Sequence, residues 1–317
     1  MSQTVIVVNH RAGAGASHIR ALADRLAARL GAGAGHVSIL SLGDDDKAAT
    51  PWQQDLQAAL AAGSERVFVL GGDGTVLAVA SQLLGQPVAL GIIPLGTANL
   101  LARDLGIPLE PEAAIAALTA DPAVTAIDVG CVNGQPFLCA SMIGLTTALA
   151  RTREAIRGQG FVPAALELAR KTLRLLWRYP YHRMRLWLDG AQLKVETRAL
   201  VITNNPIRAH VRPYPSRDRL DSGQLGLYGV HQGPLWELPR LALRIMQGDW
   251  SQEPRIFQQQ AAALRIETRN ERTLVVMNDG ERLRLKTPLL YASRPGALRV
   301  LKPRDGDPQA SDRPMLT

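Results

Sequence analysis

The sequence predicts an α/β domain followed by an antiparallel β domain. Short apolar runs alternate with amphipathic helical stretches up to Asp121-Pro122, and beyond that point the runs are strand-like. The later runs are split by the turn dipeptides Asp189-Gly190, Asp279-Gly280 and Pro295-Gly296. Alternation of the first kind builds a parallel sheet covered by helices, and turn-divided runs of the second kind build hairpins.

Taken in order, Val5 to Val8 reads as a buried strand of β-branched residues. Ser17 to Leu30 follows as an Ala/Leu/Arg helix, Val37 to Leu42 as a strand and Trp52 to Ala62 as a helix. Val67 to Leu70 and Leu90 to Pro94 continue the alternation. Ligands of such sheets bind beyond the carboxyl ends of the strands, which is where Asn9 and the Gly71 to Thr75 segment fall. The strands expected in the second part are Ala126 to Val132, Met184 to Leu188, Ala199 to Thr203, Gln224 to Val230, Ala263 to Glu267 and Thr273 to Met277. The expected division is therefore residues 1–126 and 127–302. Residues 303–317, rich in Pro, Asp, Arg and Ser, are expected to be disordered. No internal repeat of fixed period is evident.

With 317 residues, 46% of them hydrophobic, the chain is long enough for two separate cores. Aromatic residues make up 4%, which argues against a nucleic-acid partner gripped by base stacking. A net charge of +8 and a pI near 10.0 imply attraction to polyanions, whether nucleotides, nucleic acid or anionic headgroups, and charge alone does not choose among them. Cys131 and Cys139 lack metal-ligand spacing and read as reduced core residues. The start of the chain lacks a basic leader with an apolar stretch, and no run reaches about 18 apolar residues. The expectation is a cytoplasmic protein, soluble or peripheral at the inner membrane face.

The segment Val67-Phe68-Val69-Leu70-Gly71-Gly72-Asp73-Gly74-Thr75 runs from a strand into a helix through three glycines flanking one carboxylate. Glycines let the backbone approach a ligand, and amides at a helix start favour an anion, so the segment suits a nucleotide phosphate. The alternative is an ordinary strand-to-helix turn with Asp73 as the cap. A second such passage, Ile92-Ile93-Pro94-Leu95-Gly96-Thr97-Ala98-Asn99, continues to Arg103 one helical turn after Asn99. Two turns of this kind at neighbouring strand ends would form two walls of one cleft. The run Asp44-Asp45-Asp46 reads as a solvated capping turn.

Asn9 with Gly13, Gly71-Gly72-Asp73-Gly74-Thr75 and Pro94-Leu95-Gly96-Thr97-Ala98-Asn99 through Arg103 together resemble the catalytic domain of the diacylglycerol kinase, sphingosine kinase and YegS-like lipid kinase family. Asp221-Ser222-Gly223-Gln224-Leu225 and Asp279-Gly280-Glu281 extend the resemblance, which runs from about Thr4 to Pro303. Gly-Gly-Asp-Gly alone is shared with NAD kinases and phosphofructokinases; the Pro-Leu-Gly-Thr-Ala-Asn segment separates this family from them. The resemblance implies an α/β nucleotide-binding domain of the NAD kinase and phosphofructokinase kind, followed by a C-terminal antiparallel β-sandwich. It implies ATP and Mg²⁺ as cofactors and a lipid hydroxyl as acceptor. The nucleotide site carried over from it comprises Asn9, Arg11, Gly13, Ser41, Gly71, Gly72, Asp73, Gly74, Thr75, Gly96, Thr97 and Asn99. Asp73 would sit near phosphates and metal, Asp279 would be the general base, and Glu281 would assist it or be a surface strand residue. A carboxylate that takes the acceptor's proton is what phosphoryl transfer to an alcohol requires. Asn278-Asp279-Gly280 is also a strong hairpin turn, and both readings of Asp279 are compatible.

The sequence departs from the family pattern in several places. His10 follows Asn9 where proline is usual, and Ala14 replaces a basic residue, with Arg11 as a substitute. Leu100 and Ser222 stand where relatives carry the two carboxylates that help hold a magnesium ion. Asp218 and Asp221 are then the remaining candidate metal ligands, and the catalytic Mg²⁺ is expected to arrive with ATP.

Phe161 to Trp177 reads as an amphipathic helix with Glu167, Arg170, Lys171, Arg174 and Arg178 on one face. Packing on the β domain is the favoured reading, and contact with anionic lipid is the alternative. A homodimer through a strand edge is open. Two other functions compete with an ATP-dependent lipid kinase. One is an NAD kinase-like or other soluble-substrate kinase, and the other a nucleotide-responsive regulatory binding protein.

Overall fold

In the computed structural model the structure describes residues 3–10, 15–31, 36–42, 52–144, 181–207, 216–231, 233, 253–269 and 271–304. The expected 161–177 helix, the Asp44-Asp45-Asp46 turn, Arg11, Gly13 and all but the first two residues of the expected tail lie outside them. The chain divides into two units, residues 1–127 with 296–317 and residues 128–295.

In the first unit the apolar runs form β1 (Gln3–Asn9), β2 (His36–Leu42), β3 (Ser64–Gly71) and β4 (Ala89–Pro94). They pair in parallel in the order β2-β1-β3-β4. Strand residues alternate between faces, so the unbroken burial of Thr4–Val8, Val67–Gly71 and all of β4 means that both sheet faces are covered. The helices packed on the sheet are α1 (Ala16–Gly31), α2 (Trp52–Ala61), α3 (Asp73–Leu83), α4 (Leu100–Asp104) and α5 (Pro111–Ala120). In α1 the stripe Ile19, Leu22, Ala23 and Leu26 is buried, the spacing that one helix face requires. Glu110 caps α5 by accepting the amides of Glu112 and Ala113, and Pro111 occupies the first turn, where a missing N–H costs nothing.

The chain leaves this unit within β5 (Ala123–Val132) and returns within β15 (Leu289–Lys302). In the returning part, Arg299 and Val300 pair in parallel with Ala89 and Leu90. Residues 296–302, assigned from sequence to the second domain, therefore belong to the first unit. Pro295-Gly296 does not end a strand as expected: Gly296 takes φ +60° while β15 continues through it.

The second unit is antiparallel. Its further strands are β6 (Gln135–Phe137), β7 (Ala140–Gly144), β8 (His182–Leu188), β9 (Ala191–Asn204), β10 (Leu225–His231), β11 (Ile256–Ala261), β12 (Ala263–Thr268), β13 (Thr273–Asn278) and β14 (Glu281–Lys286). Three tight hairpins carry positive φ at both turn residues: Asn133-Gly134, Asp189-Gly190 and Asp279-Gly280. Asn and Asp tolerate that region and glycine prefers it, and its twist matches that of the flanking strands. A core including Phe137, Met184, Leu186, Leu200, Ile202, Leu227, Ile266, Val276 and Tyr291 fills the unit. The fold is an N-terminal α/β domain with a C-terminal antiparallel β-rich domain.

Candidate functional site

Two strand-end turns meet in the first unit. Gly72 is the N-cap of α3 with extended backbone, and Asp73 opens the helix. The Asp73 side chain does not cap its own helix. Its Oδ2 accepts the Asn99 amide at 2.9 Å and its Oδ1 accepts the Leu100 amide at 2.8 Å. Asn99 takes a left-handed conformation, φ 48° and ψ 48°, which asparagine tolerates better than most residues. Its side chain closes the turn on both sides, with Oδ1 accepting from the Gly96 amide at 3.0 Å and Nδ2 donating to the Gly96 carbonyl at 2.8 Å.

The glycines here serve close approach. A Cβ on Gly71 would lie 2.5 Å from the Thr75 side chain. One on Gly96 would lie 2.7 Å from the Gly72 Cα and one on Gly72 would lie 3.1 Å from the Gly96 Cα, so neither backbone admits a side chain without moving. Gly72, Asp73 and Gly74 are half-buried, and Gly96 and Thr97 are exposed. Asn9, the last residue of β1, donates from Nδ2 to Thr75 Oγ1 at 2.8 Å. His10 Nε2 and Ser41 Oγ lie 3.1 Å apart. Asn9, Ser41, Gly71 to Thr75, Gly96, Thr97 and Asn99 thus lie at or just beyond the carboxyl ends of β1, β2, β3 and β4 within one unit.

Asp279 and Glu281 lie in the second unit on the β13–β14 hairpin. Glu281 is exposed and pairs opposite Asn278. Asp279 is held tightly: its carboxylate accepts the amides of Leu138, Cys139 at 2.9 Å and Ala140 at 2.8 Å, while its own amide donates to the Ala140 carbonyl at 2.9 Å. Burial pushes the carboxyl above the usual carboxylate range, opposed by the three amides and by the positive charge of Arg217.

The two candidate metal ligands, Asp218 and Asp221, lie on the turn that leads into β10. Asp218 and Asp221 are exposed, and Asp221 Oδ1 accepts from Arg219 Nε at 3.0 Å, which holds that carboxyl below its ordinary value. No group of three or more Asp, Glu, His or Cys side chains suited to a metal occurs among the described residues. The turn containing Ser222 is closed by protein groups instead. Buried Asp128 accepts from the Gly223 amide at 2.6 Å and from Asn205 Nδ2 at 2.8 Å, and Asn205 Nδ2 also reaches Ser222 Oγ at 2.9 Å.

Sequence reasoning missed Asp128, Asn204, Asn205 and Arg217, all buried. A signal for Asp128 was present: one carboxylate inside the apolar run Ala126 to Val132 needs hydrogen-bond partners. The pair Asn204-Asn205 at the end of an apolar strand was a second signal.

Two family descriptions match this chain: "Diacylglycerol kinase catalytic domain" over residues 3–132 and "YegS C-terminal NAD kinase beta sandwich-like domain" over residues 144–302. This chain belongs to the YegS-like and diacylglycerol kinase family of lipid kinases. It is 48% identical over 88 residues to a Pseudomonas fluorescens protein named probable lipid kinase YegS-like. That stretch is 27% of this chain and 29% of the relative's length. A Mycobacterium tuberculosis protein named diacylglycerol kinase is 29% identical over 268 residues, covering 79% of this chain and 81% of the relative. A solved Bacillus anthracis structure titled as a diacylglycerol kinase shares the fold, with a TM-score of 0.68 at 23% identity, covering 95% of this chain and 97% of that one. No helix of the described residues of this lipid kinase family member is long and apolar enough to cross a membrane.

Proposed function

We propose that this protein is an ATP-dependent lipid kinase that transfers the γ-phosphoryl group to a hydroxyl of a diacylglycerol-like, glycerophospholipid or sphingoid lipid. Family membership supports the reaction class. The observation that carries the chemistry is the Asp279 carboxylate, fixed by three main-chain amides and raised in proton affinity by burial. A general base works best when it is rigid and its proton affinity lies nearer the operating pH than that of a free carboxylate.

In the proposed step the lipid hydroxyl oxygen bonds to the γ-phosphorus, the bond from that phosphorus to the β,γ-bridging oxygen breaks, and ADP leaves. The hydroxyl proton passes to Asp279. The paired turns around Asp73 and Asn99 hold the nucleotide phosphates by main-chain amides of the Gly72–Thr75 segment and of Thr97, the Gly96 amide being spent on Asn99 Oδ1, with Asn9 and Ser41 alongside. Magnesium is expected to enter bound to ATP oxygens, as it prefers phosphate and water to a protein cage. The described residues offer no closed cation cage, so no step is assigned to a protein-held ion.

Labelled ATP incubated with a mixed lipid extract tests the reading. A labelled lipid product is expected. A labelled dinucleotide would replace the reading with a soluble-substrate kinase, and ATP binding without transfer would replace it with a regulatory protein. Asp279→Asn should bind ATP and lose transfer; full transfer in that variant removes Asp279 as the base. Contact with anionic membrane is part of the proposal and is checked by sedimentation with liposomes of differing charge.

A further inference from the structure

We propose that Arg217 is a positioning residue for Asp279, acting through the Leu138–Ala140 main chain that the two side chains grip from opposite chemical sides. This rests on the reading of Asp279 as the base. Asp279 takes the three amides of the segment. Arg217, itself 8% exposed, donates from Nη1 to the Leu138 carbonyl at 2.6 Å and to the Asn204 carbonyl at 2.8 Å. Its Nη2 lies 3.4 Å from Cys139 Sγ. Asn204 completes the grip: its Nδ2 donates to the Leu138 carbonyl at 3.1 Å and its amide donates to the Cys139 carbonyl at 3.0 Å. The peptide groups of this segment therefore donate to an acidic side chain and accept from a basic one and its neighbour.

Such an arrangement has two effects. Mechanically, the guanidinium fixes the Leu138 carbonyl against that of Asn204, and the amides that orient Asp279 belong to the same short segment as Leu138. Electrically, the Leu138–Cys139 peptide, which accepts from Arg217 and Asn204, and the Cys139–Ala140 peptide, which accepts from the Asn204 amide, are polarised toward giving their own hydrogens to Asp279, a cooperative strengthening that grows where water is excluded. Among the described residues, the charged and titratable groups on the elements around Asp279 are Arg217, the Cys139 thiol, Glu281 and Arg282 on its own hairpin, and Tyr291, whose hydroxyl lies 3.0 Å from Ser141 Oγ on β7. Of these, Arg217 is the charge that acts on the Asp279 carboxyl, favouring its ionised form against burial.

The test measures transfer to mixed lipid extract in detergent micelles with magnesium ATP, as a function of pH, for wild type, Arg217→Gln, Arg217→Lys and Asp279→Asn. Thermal melts confirm folding in each case. With the guanidinium removed, Asp279 needs a higher pH to ionise. Arg217→Gln is therefore expected to move the acid limb of kcat up by about one pH unit, a loss of about tenfold on that limb that recovers as pH rises. The KM for ATP should stay within about twofold, because the change acts on the transfer step and not on nucleotide binding. Arg217→Lys keeps the charge and should restore most of the acid limb. Transfer by Asp279→Asn would overturn the base reading and this inference with it. An inactive Asp279→Asn beside an Arg217→Gln profile that does not move would overturn the inference alone. If neither Arg217 variant folds, Arg217 serves the fold only and the inference is likewise overturned.

Discussion

Asp73 accepts the main-chain amide of Asn99 at 2.9 Å, across 26 positions of sequence, and so fastens the start of one helix to the turn that precedes another. The same carboxylate takes the next amide, that of Leu100. Its structural duty is therefore to join two glycine turns, and any duty toward phosphate or metal is performed from that fixed position.

Replacing Asp73 by Asn puts an amide group where two N–H donors converge, so one donor loses its acceptor. The variant is expected to lose about 1–3 kcal/mol of stability, the cost of an unsatisfied buried donor, along with most of its ATP affinity. Urea denaturation and nucleotide titration check this. Unchanged stability would mean that the turns are joined by other contacts.

Gly96→Ala brings a Cβ within 2.7 Å of the Gly72 Cα and of Asn99 Oδ1. Backbone cannot yield as a flexible side chain does, so the two turns must part. A destabilisation of about 1–3 kcal/mol is expected, as for other overpacked positions, with ATP binding reduced. Gly134→Ala is the control for glycine loss without a steric clash, since its Cβ meets nothing within 4 Å and the strain there comes from its φ of +84°, which Gly96 does not share. It should cost stability without touching nucleotide affinity.

The raised proton affinity of Asp279 has a definite sign in a stability curve. A buried carboxyl that binds protons more readily folded than unfolded favours the folded state at low pH, and that contribution is lost as pH rises through the raised folded value. The difference in melting temperature between wild type and Asp279→Asn should therefore narrow from about pH 4, near the ordinary carboxylate value, toward neutrality. A gap that widens with pH would contradict the burial of the charge.

Asp128→Ala strands the Gly223 amide and removes one acceptor of Asn205 Nδ2. It should destabilise the second unit by about 2–3 kcal/mol, in the range for a buried hydrogen-bonded carboxylate, whereas Ser222→Ala should cost about 1 kcal/mol. Chemical denaturation of the two variants separates them.

Because protein groups close that turn, magnesium added without nucleotide should leave the melting temperature unchanged, and so should a chelator. A binding ion stabilises by mass action, so a rise in melting temperature with magnesium concentration would reveal a protein-held cation after all.

The alternation of strand and helix was legible in the sequence because each apolar run is long enough to bury both faces of a parallel strand. The hairpins Asp189-Gly190 and Asp279-Gly280 were legible because two successive positive φ angles demand such residues. The return of residues 296–302 to the first unit was not legible. An apolar run says that it will be buried and not which strand it will lie beside, and Pro295-Gly296 looks the same whether a strand ends or bends. The two glycine turns could be read as phosphate loops, but Asp73 finds its partners at Asn99 and Leu100, a distance that no local pattern encodes. Arg217 was invisible for a similar reason: among the charged residues Asp218, Arg219 and Asp221 it looks like surface, and its burial and its bonds to Leu138 and Asn204 mark it as interior.

Asp279, and Arg217 through its shortest bond, address the main chain of residues 138–140, not what those residues display. The side chains of Leu138 and Ala140 can accordingly drift among relatives and reshape whatever they face while leaving the aim of the carboxylate untouched. Proline is the exception, since at any of the three positions it would erase an amide hydrogen that Asp279 accepts. On the proposed role of Asp279 as the base, a geometry written in peptide groups is insulated from the substitutions that would tune an enzyme toward a new acceptor.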